Sequence, residues 1–345
     1  MHTLTITKPD DWHIHLRQGQ ALTTTIPHTA PYFARAAVMP NTIPPITDVT
    51  SALQYKNNIL ALLGKNDNFN PLMTLYLTDN TSPNIIKQAA LSRDIIACKL
   101  YPQGATTNSD AGVSDIKKIY PVLDTMQETN LPLLIHGETT DHNIDIFERE
   151  AIFIDKILVN IREQFPNLKI TLEHITTKQA VDFVLEYKQN SKTAATITPH
   201  HLLLNRNDLL VGGIKPHYYC LPILKDRSHQ DAVIQAALSG EPCFFAGSDS
   251  APHSINKKEA ACGCAGIYHG SNTTLIYADF FDQHKQLEKL EAFISFYGAD
   301  YYNLPYNKEK ITLIKDNYTI PEHYQYEETI IIPFLAGQTI AWRYA

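Results

Sequence analysis

Asp11-Trp12-His13-Ile14-His15 is the stretch from which the rest of the chain is best read. In a strand, residues i and i+2 face the same side. Both imidazoles can then reach one ion while Ile14 turns into the surrounding core. Neutral imidazole suits zinc and its neighbours. Two polar histidines with no metal would give the same string, so the pair has to be weighed against the residues further along the chain.

Seven further apolar or β-branched runs occur at 35–39, 71–77, 95–100, 132–136, 169–174, 193–197 and 242–247, with the first strand at 12–15. Helical spacing predicts helices between them at 51–63, 83–91, 114–129, 147–165, 178–189 and 228–239. Asp48, Ser82-Pro83 and Ser114 are expected helix starts. Strands alternating with helices predict a parallel sheet, and the gaps are long enough for crossovers. The sheet could stay open and doubly wound or close into a (β/α)8 TIM barrel. Closure is preferred because polar residues gather at the strand ends: His13 and His15, Asn41, Lys99, His136, His174 and Asp249. In such barrels the C-terminal strand ends carry the active site. The whole chain, 1–345, is expected to be one domain, with an extension of about 280–345 packed on the barrel's outside.

His136 and His174 each close an apolar run; alone, either is read as a hydrogen-bonded structural residue, but with the HxH pair they make four histidines at one mouth. Asp249 comes directly after Phe244-Phe245-Ala246-Gly247-Ser248. A carboxylate there needs a cation if buried; its other reading is a helix cap or loop residue. Lys99 lies inside Ile95-Ile96-Ala97-Cys98-Lys99-Leu100. Burial lowers a lysine pKa, and a neutral amine can take up carbon dioxide to become an anionic carbamate. A lysine snorkelling from a strand end is the alternative. His200-His201 is expected to be structural, since neighbours on a strand point to opposite faces, and likewise His217. Cys262-Gly263-Cys264 reads as a packing or loop element before it reads as a metal site.

The balance of 29 Lys and Arg against 36 Asp and Glu gives a net charge of -7, which argues against a nucleic-acid partner. An anionic substrate would need a locally positive site. Five cysteines at irregular spacing argue for free thiols and a cytoplasmic location. No apolar run is long enough for a membrane span.

Taken together these positions resemble the amidohydrolase superfamily: HxH, a strand-borne Lys, then His, His and Asp. The nearer resemblance is to the bacterial single-function dihydroorotases. It is carried by Asp11-Trp12-His13-Ile14-His15-Leu16-Arg17, Met39-Pro40-Asn41-Thr42, Lys99-Leu100-Tyr101-Pro102, Ile135-His136-Gly137-Glu138, Leu172-Glu173-His174-Ile175-Thr176, Tyr219-Cys220-Leu221-Pro222 and Gly247-Ser248-Asp249-Ser250-Ala251-Pro252-His253. The resemblance implies two Zn2+ per chain. His13, His15 and Asp249 would hold one, His136 and His174 the other, and Lys99 as N6-carboxylysine would bridge them. It implies Asp249 as the catalytic acid-base, and Arg17, Asn41 and His253 on the substrate carboxylate. Leu221 and Ala265 would contact the ring, His15 and His136 would face the substrate, and Thr106 and Thr107 would lie in a mobile covering loop. It further implies dihydroorotate and N-carbamoyl-aspartate as the interconverted pair, pyrimidine synthesis as the setting, and a homodimer.

Three other readings are kept. A hydantoinase or deaminase would share barrel and metals but not the Arg17, Asn41 and His253 set. A catalytically dead scaffold would be expected to lose ligands, and none is lost. A storage site would need neither Lys99 nor the free acid-base role of Asp249.

Overall fold

The computed structural model describes residues 2–65, 67–189 and 192–345. A short outer strand, β1 (Thr3–Thr7), precedes eight parallel strands: β2 (Asp10–Ile14), β3 (Arg35–Val38), β4 (Asn70–Tyr76), β5 (Ile95–Leu100), β6 (Leu133–Ile135), β7 (Ile170–Leu172), β8 (Thr193–Ile197) and β9 (Phe244–Ala246). They hydrogen-bond in sequence order. The ends meet where the His15 amide donates to the Ser250 carbonyl at 3.0 Å and the Asp249 amide to the His13 carbonyl at 2.8 Å. The result is a nearly closed TIM barrel, as the polar strand ends predict. All eight expected strands are present.

The sheet is parallel because each strand is followed by a helical crossover with an apolar face. Asp48 caps its helix as expected, accepting from the Ser51 amide at 2.8 Å. Ser82 and Pro83 open the next, without a side-chain bond from Ser82. The expected start at Ser114 is displaced: its hydroxyl is taken by Asp79 at 2.7 Å, and Asp115 caps the following turn instead. The long helix expected over 147–165 is interrupted by a wide π-turn at Ile154–Leu158.

The C-terminal region departs from the expected outer layer. Ala299 and Tyr301 join Trp12, Ala37, Leu72, Ala97, Leu134, Ala194 and Phe245 in a buried cluster inside the barrel. Residues 297–304 therefore plug the end away from the strand C-termini. Trp12 stacks on Tyr302 at 4.6 Å, and Lys169 Nζ donates to the Tyr301 carbonyl at 2.7 Å. Only glycine fits at 298, where a Cβ would overlap the Trp12 indole at Nε1. The remaining strands, β10 (Lys310–Thr319), β11 (Tyr324–Tyr326), β12 (Thr329–Ile331) and β13 (Thr339–Tyr344), make two small antiparallel sheets: β1-β10-β13 and β11-β12.

Candidate active site

A register irregularity between Asp11 and Ile14 in β2 sends Trp12 toward the plug and Ile14 into the outer core. His13 and His15 are left at the mouth. Four imidazoles form a row there, with centroids 5.3 Å apart for His15–His13 and 4.9 Å for both His13–His174 and His174–His136. Asp249 closes one end, its Oδ1 2.9 Å from His15 Nε2 and 3.4 Å from His13 Nε2. His174 and Asp249 both sit at positive φ, 43° and 47°, as does Arg17 at 63°. Such backbone is costly for non-glycine residues and gathers at functional sites.

Buried carboxylates fix the rings. Glu173 accepts from His13 Nδ1 at 2.7 Å and from Thr196 Oγ1 at 2.7 Å, which leaves His13 Nε2 facing Asp249. Glu138 accepts from His136 Nε2 at 2.7 Å, leaving Nδ1 free to bind. Asp11 accepts from Ser248 N at 2.8 Å and Oγ at 2.5 Å, anchoring the turn that carries Asp249. Glu150 takes both the amides and the hydroxyls of Thr176 and Thr177, holding the turn after His174.

The electrostatics suit cations. Burial holds His15 down at about 4, with Arg17 adding to the effect. Burial and Lys99 hold His174 well below its usual range. Burial opposes protonation of His13, but Glu173 and Asp249 together outweigh it and raise that pKa. Burial also opposes charge on Asp249, yet the His13 and His15 bonds hold its carboxyl well below the ordinary range. Lys99 is fully buried and lowered to about 8 by burial, although Glu173 and Asp249 pull the other way. Its amine has no hydrogen-bond partner among the described residues, nor have His15 Nδ1 and His174 Nδ1. Four imidazoles, two of them held neutral by burial, one ionised carboxylate and an unpartnered amine are a donor set that suits a metal pair. His13, His15 and Asp249 bring their ligand atoms within 4.8 Å of one another.

Beside this row, Arg17 Nη2 donates to His253 Nε2 at 3.1 Å. Thr107 closes over the pocket: its carbonyl accepts from Asn41 Nδ2 at 3.0 Å, and its hydroxyl donates to the Ala265 carbonyl at 3.2 Å. Thr106 also lines the inner pocket, with Leu221 and Ala265. That pocket is about 20 Å³, room for water only, while an outer vestibule of about 420 Å³ opens beyond Thr107 and Arg17. Asn41 thus holds the covering loop here.

The amidohydrolase family pattern matches residues 6–316. A dihydroorotase of Aliivibrio fischeri is 55% identical over 342 residues, covering 99% of both chains. The chain belongs to the dihydroorotases of the amidohydrolase family. It is a cyclic amide hydrolase. A solved dihydroorotase from Saccharomyces cerevisiae, in complex with 5-fluoroorotic acid, superposes with a TM-score of 0.91 at 34% identity, covering 100% of this chain and 99% of that one. The L-hydantoinase of Arthrobacter aurescens shares the fold, with a TM-score of 0.80 at 11% identity, covering 99% of this chain and 83% of that one.

Every candidate site residue read from the sequence lies at this mouth. His200 and His201 do not lie on a strand as expected, because Pro199 begins a short helix. Both rings are nonetheless engaged elsewhere. His201 bonds Thr198 Oγ1 at 2.8 Å and the Pro222 carbonyl at 3.0 Å, and His200 bonds His269 at 3.2 Å. His217 pairs with Glu259 at the surface. The cysteines are free: Cys98, Cys220 and Cys243 are buried, and Cys262 is exposed. Asp11, Glu138 and Glu173 brace the site's rings and the Asp249 turn, and the sequence reading misses them. Their signal is an acidic residue within two positions of a site histidine at the end of an apolar run.

Proposed function

We propose that the chain interconverts dihydroorotate and N-carbamoyl-L-aspartate at a binuclear zinc centre, in de novo pyrimidine synthesis. The observation that carries this is the pairing of an unpartnered, fully buried Lys99 with the histidine row and Asp249. Carbon dioxide adding to the neutral Lys99 amine gives an N-carboxylate and releases one proton. That anion would bridge two zinc ions, one held by His13, His15 and Asp249 and the other by His136 and His174. When bound, the metals supply Lewis acidity, lowering the pKa of water and polarising an amide carbonyl.

The chain's own residues do the remainder. Asp249, held ionised, accepts the proton of the attacking water and delivers it to the departing ring nitrogen; in the reverse direction it takes the proton from the carbamoyl nitrogen. Arg17 offers a planar fork to the substrate carboxylate, beside His253 and Asn41. Backbone groups of Leu221 and Ala265 meet the ring, and Thr106 and Thr107 exclude water when the loop is down. Among the described residues no helix is long and apolar enough to cross a membrane. A single-domain, cytoplasmic homodimer completes the proposal.

The test is a substrate panel. Dihydroorotate should be hydrolysed, and dihydrouracil and hydantoin, which lack the carboxylate, should be turned over at least 100-fold less efficiently, the scale expected when a buried polar site is left unpaired. Equal turnover of all three would assign the site to a broader cyclic amidase.

A further inference from the structure

Lys258 touches neither the histidine row nor the Arg17 pocket, yet it is a buried cation, 4% exposed, on the short helix Ile255–Lys258 just after His253. An ammonium has three N–H groups. Those of Lys258 go to the carbonyls of Tyr219 at 2.8 Å, Cys264 at 3.0 Å and Gly266 at 2.7 Å. No carboxylate pairs with it among the described residues. A buried charge held by backbone dipoles and, at 5.9 Å, the face of the Tyr219 ring is expensive, and burial lowers its pKa to about 8.

The three carbonyls belong to two loops. Tyr219 is two residues before Leu221, and Cys264 and Gly266 flank Ala265; Leu221, Ala265 and Gly266 all line the inner pocket. The Gly266 amide also donates to the Tyr219 carbonyl at 3.0 Å, so the loops meet at the same point. With the carbonyls on both sides of Ala265 drawn to the ammonium, the Ala265 carbonyl is left for Thr107 Oγ1 of the covering loop. One side chain therefore holds both stretches of backbone that line the inner pocket, next to the carbonyl on which the covering loop lands.

We propose that Lys258 is a positioning residue for the substrate ring, clamping the Tyr219–Leu221 and Cys264–Gly266 loops in register. The proposal rests on the reading that these loops face substrate. Lys258→Met keeps the stem and removes the ammonium; Lys258→Arg keeps a cation with several donors. In Lys258→Met, KM for dihydroorotate should rise at least tenfold, kcat should change less, and metal content and Tm should stay near wild type. Lys258→Arg should recover part of the KM. Hydrogen exchange over 264–267 should quicken in Lys258→Met, a readout independent of turnover. An unchanged KM and unchanged exchange in Lys258→Met overturn the clamp. So does a joint fall of kcat, metal content and Tm in both variants, which marks a general brace. Wild-type protein that leaves dihydroorotate intact refutes the functional reading instead, and exchange over 264–267 still decides the clamp.

Discussion

Replacing Glu173 by Gln removes one charge and almost no volume, from a side chain that never contacts the proposed substrate. The carboxylate accepts two bonds of 2.7 Å, from His13 Nδ1 and Thr196 Oγ1, with both partners buried. Both bonds end on the same oxygen, Oε2, so a Gln carbonyl oxygen there can keep both partners, but the two bonds become neutral ones, each about 1 kcal/mol weaker. A hydrogen bond to a charged group contributes about 1.5–3 kcal/mol. Losing the carboxylate behind a metal-binding histidine typically weakens metal binding about 10–100-fold, which is about 1.4–2.7 kcal/mol, so the two magnitudes agree. His13 also loses the charge that raises its pKa, and with it basicity toward a metal. Titrating metal-free protein with zinc against a chromophoric chelator measures the effect. The expected result is a 10–100-fold weaker site holding His13, with the metal-free protein folded. Zinc affinity equal to wild type would refute the claim that Glu173 orients His13 as a ligand.

Other expectations rest on the same geometry. Arg17→Lys keeps the charge but not the fork, so KM for dihydroorotate should rise, about tenfold if one charge-assisted bond is lost; an unchanged kcat/KM would remove Arg17 from the site. Gly298→Ala drives a Cβ into the Trp12 indole. It should cost about 1–3 kcal/mol of stability by overpacking, seen as a lower urea midpoint with metal content unchanged. His201 is depressed to about 4 and His269 to about 3, both chiefly by burial, and burial with the His201 and His269 charges holds His200 well below its ordinary range. Groups depressed in the folded state contribute stability that is complete above their unfolded pKa of about 6.5 and is lost as pH falls toward the folded values. Stability should therefore drop steeply between about pH 6.5 and 4, by on the order of 3 kcal/mol for His201 alone. A His200→Gln, His269→Asn double variant should flatten that slope in denaturation measured across the window.

Much of the fold was legible because barrel strands buried on both faces read as short apolar runs, and all eight lie where the pattern puts them. The candidate site was legible for a related reason: an imidazole, amine or carboxylate at the end of such a run has no structural need to be there. The layer that packs against the runs was harder to read. Tyr297, Tyr301 and Tyr302 are apolar enough for a plug or an outer layer, and it is their packing with the small inward residues Ala37, Ala97 and Ala194 that makes them a plug. His200 and His201 look like strand residues until Pro199 is recognised as a helix start. Lys258 stands in Ile255-Asn256-Lys257-Lys258-Glu259, which reads as a solvated stretch; nothing local says that one of its two lysines is buried and its neighbour exposed.

The most direct test of a binuclear centre bridged by Lys99 uses metal-replete protein and its Lys99→Ala variant, with turnover of dihydroorotate followed by ultraviolet absorbance and metal counted in the same samples. The expected result is about two metals per chain and rapid hydrolysis in the wild type, both lost in the variant. A Lys99→Ala protein that keeps both metals and its activity would contradict the bridging role and the site built around it.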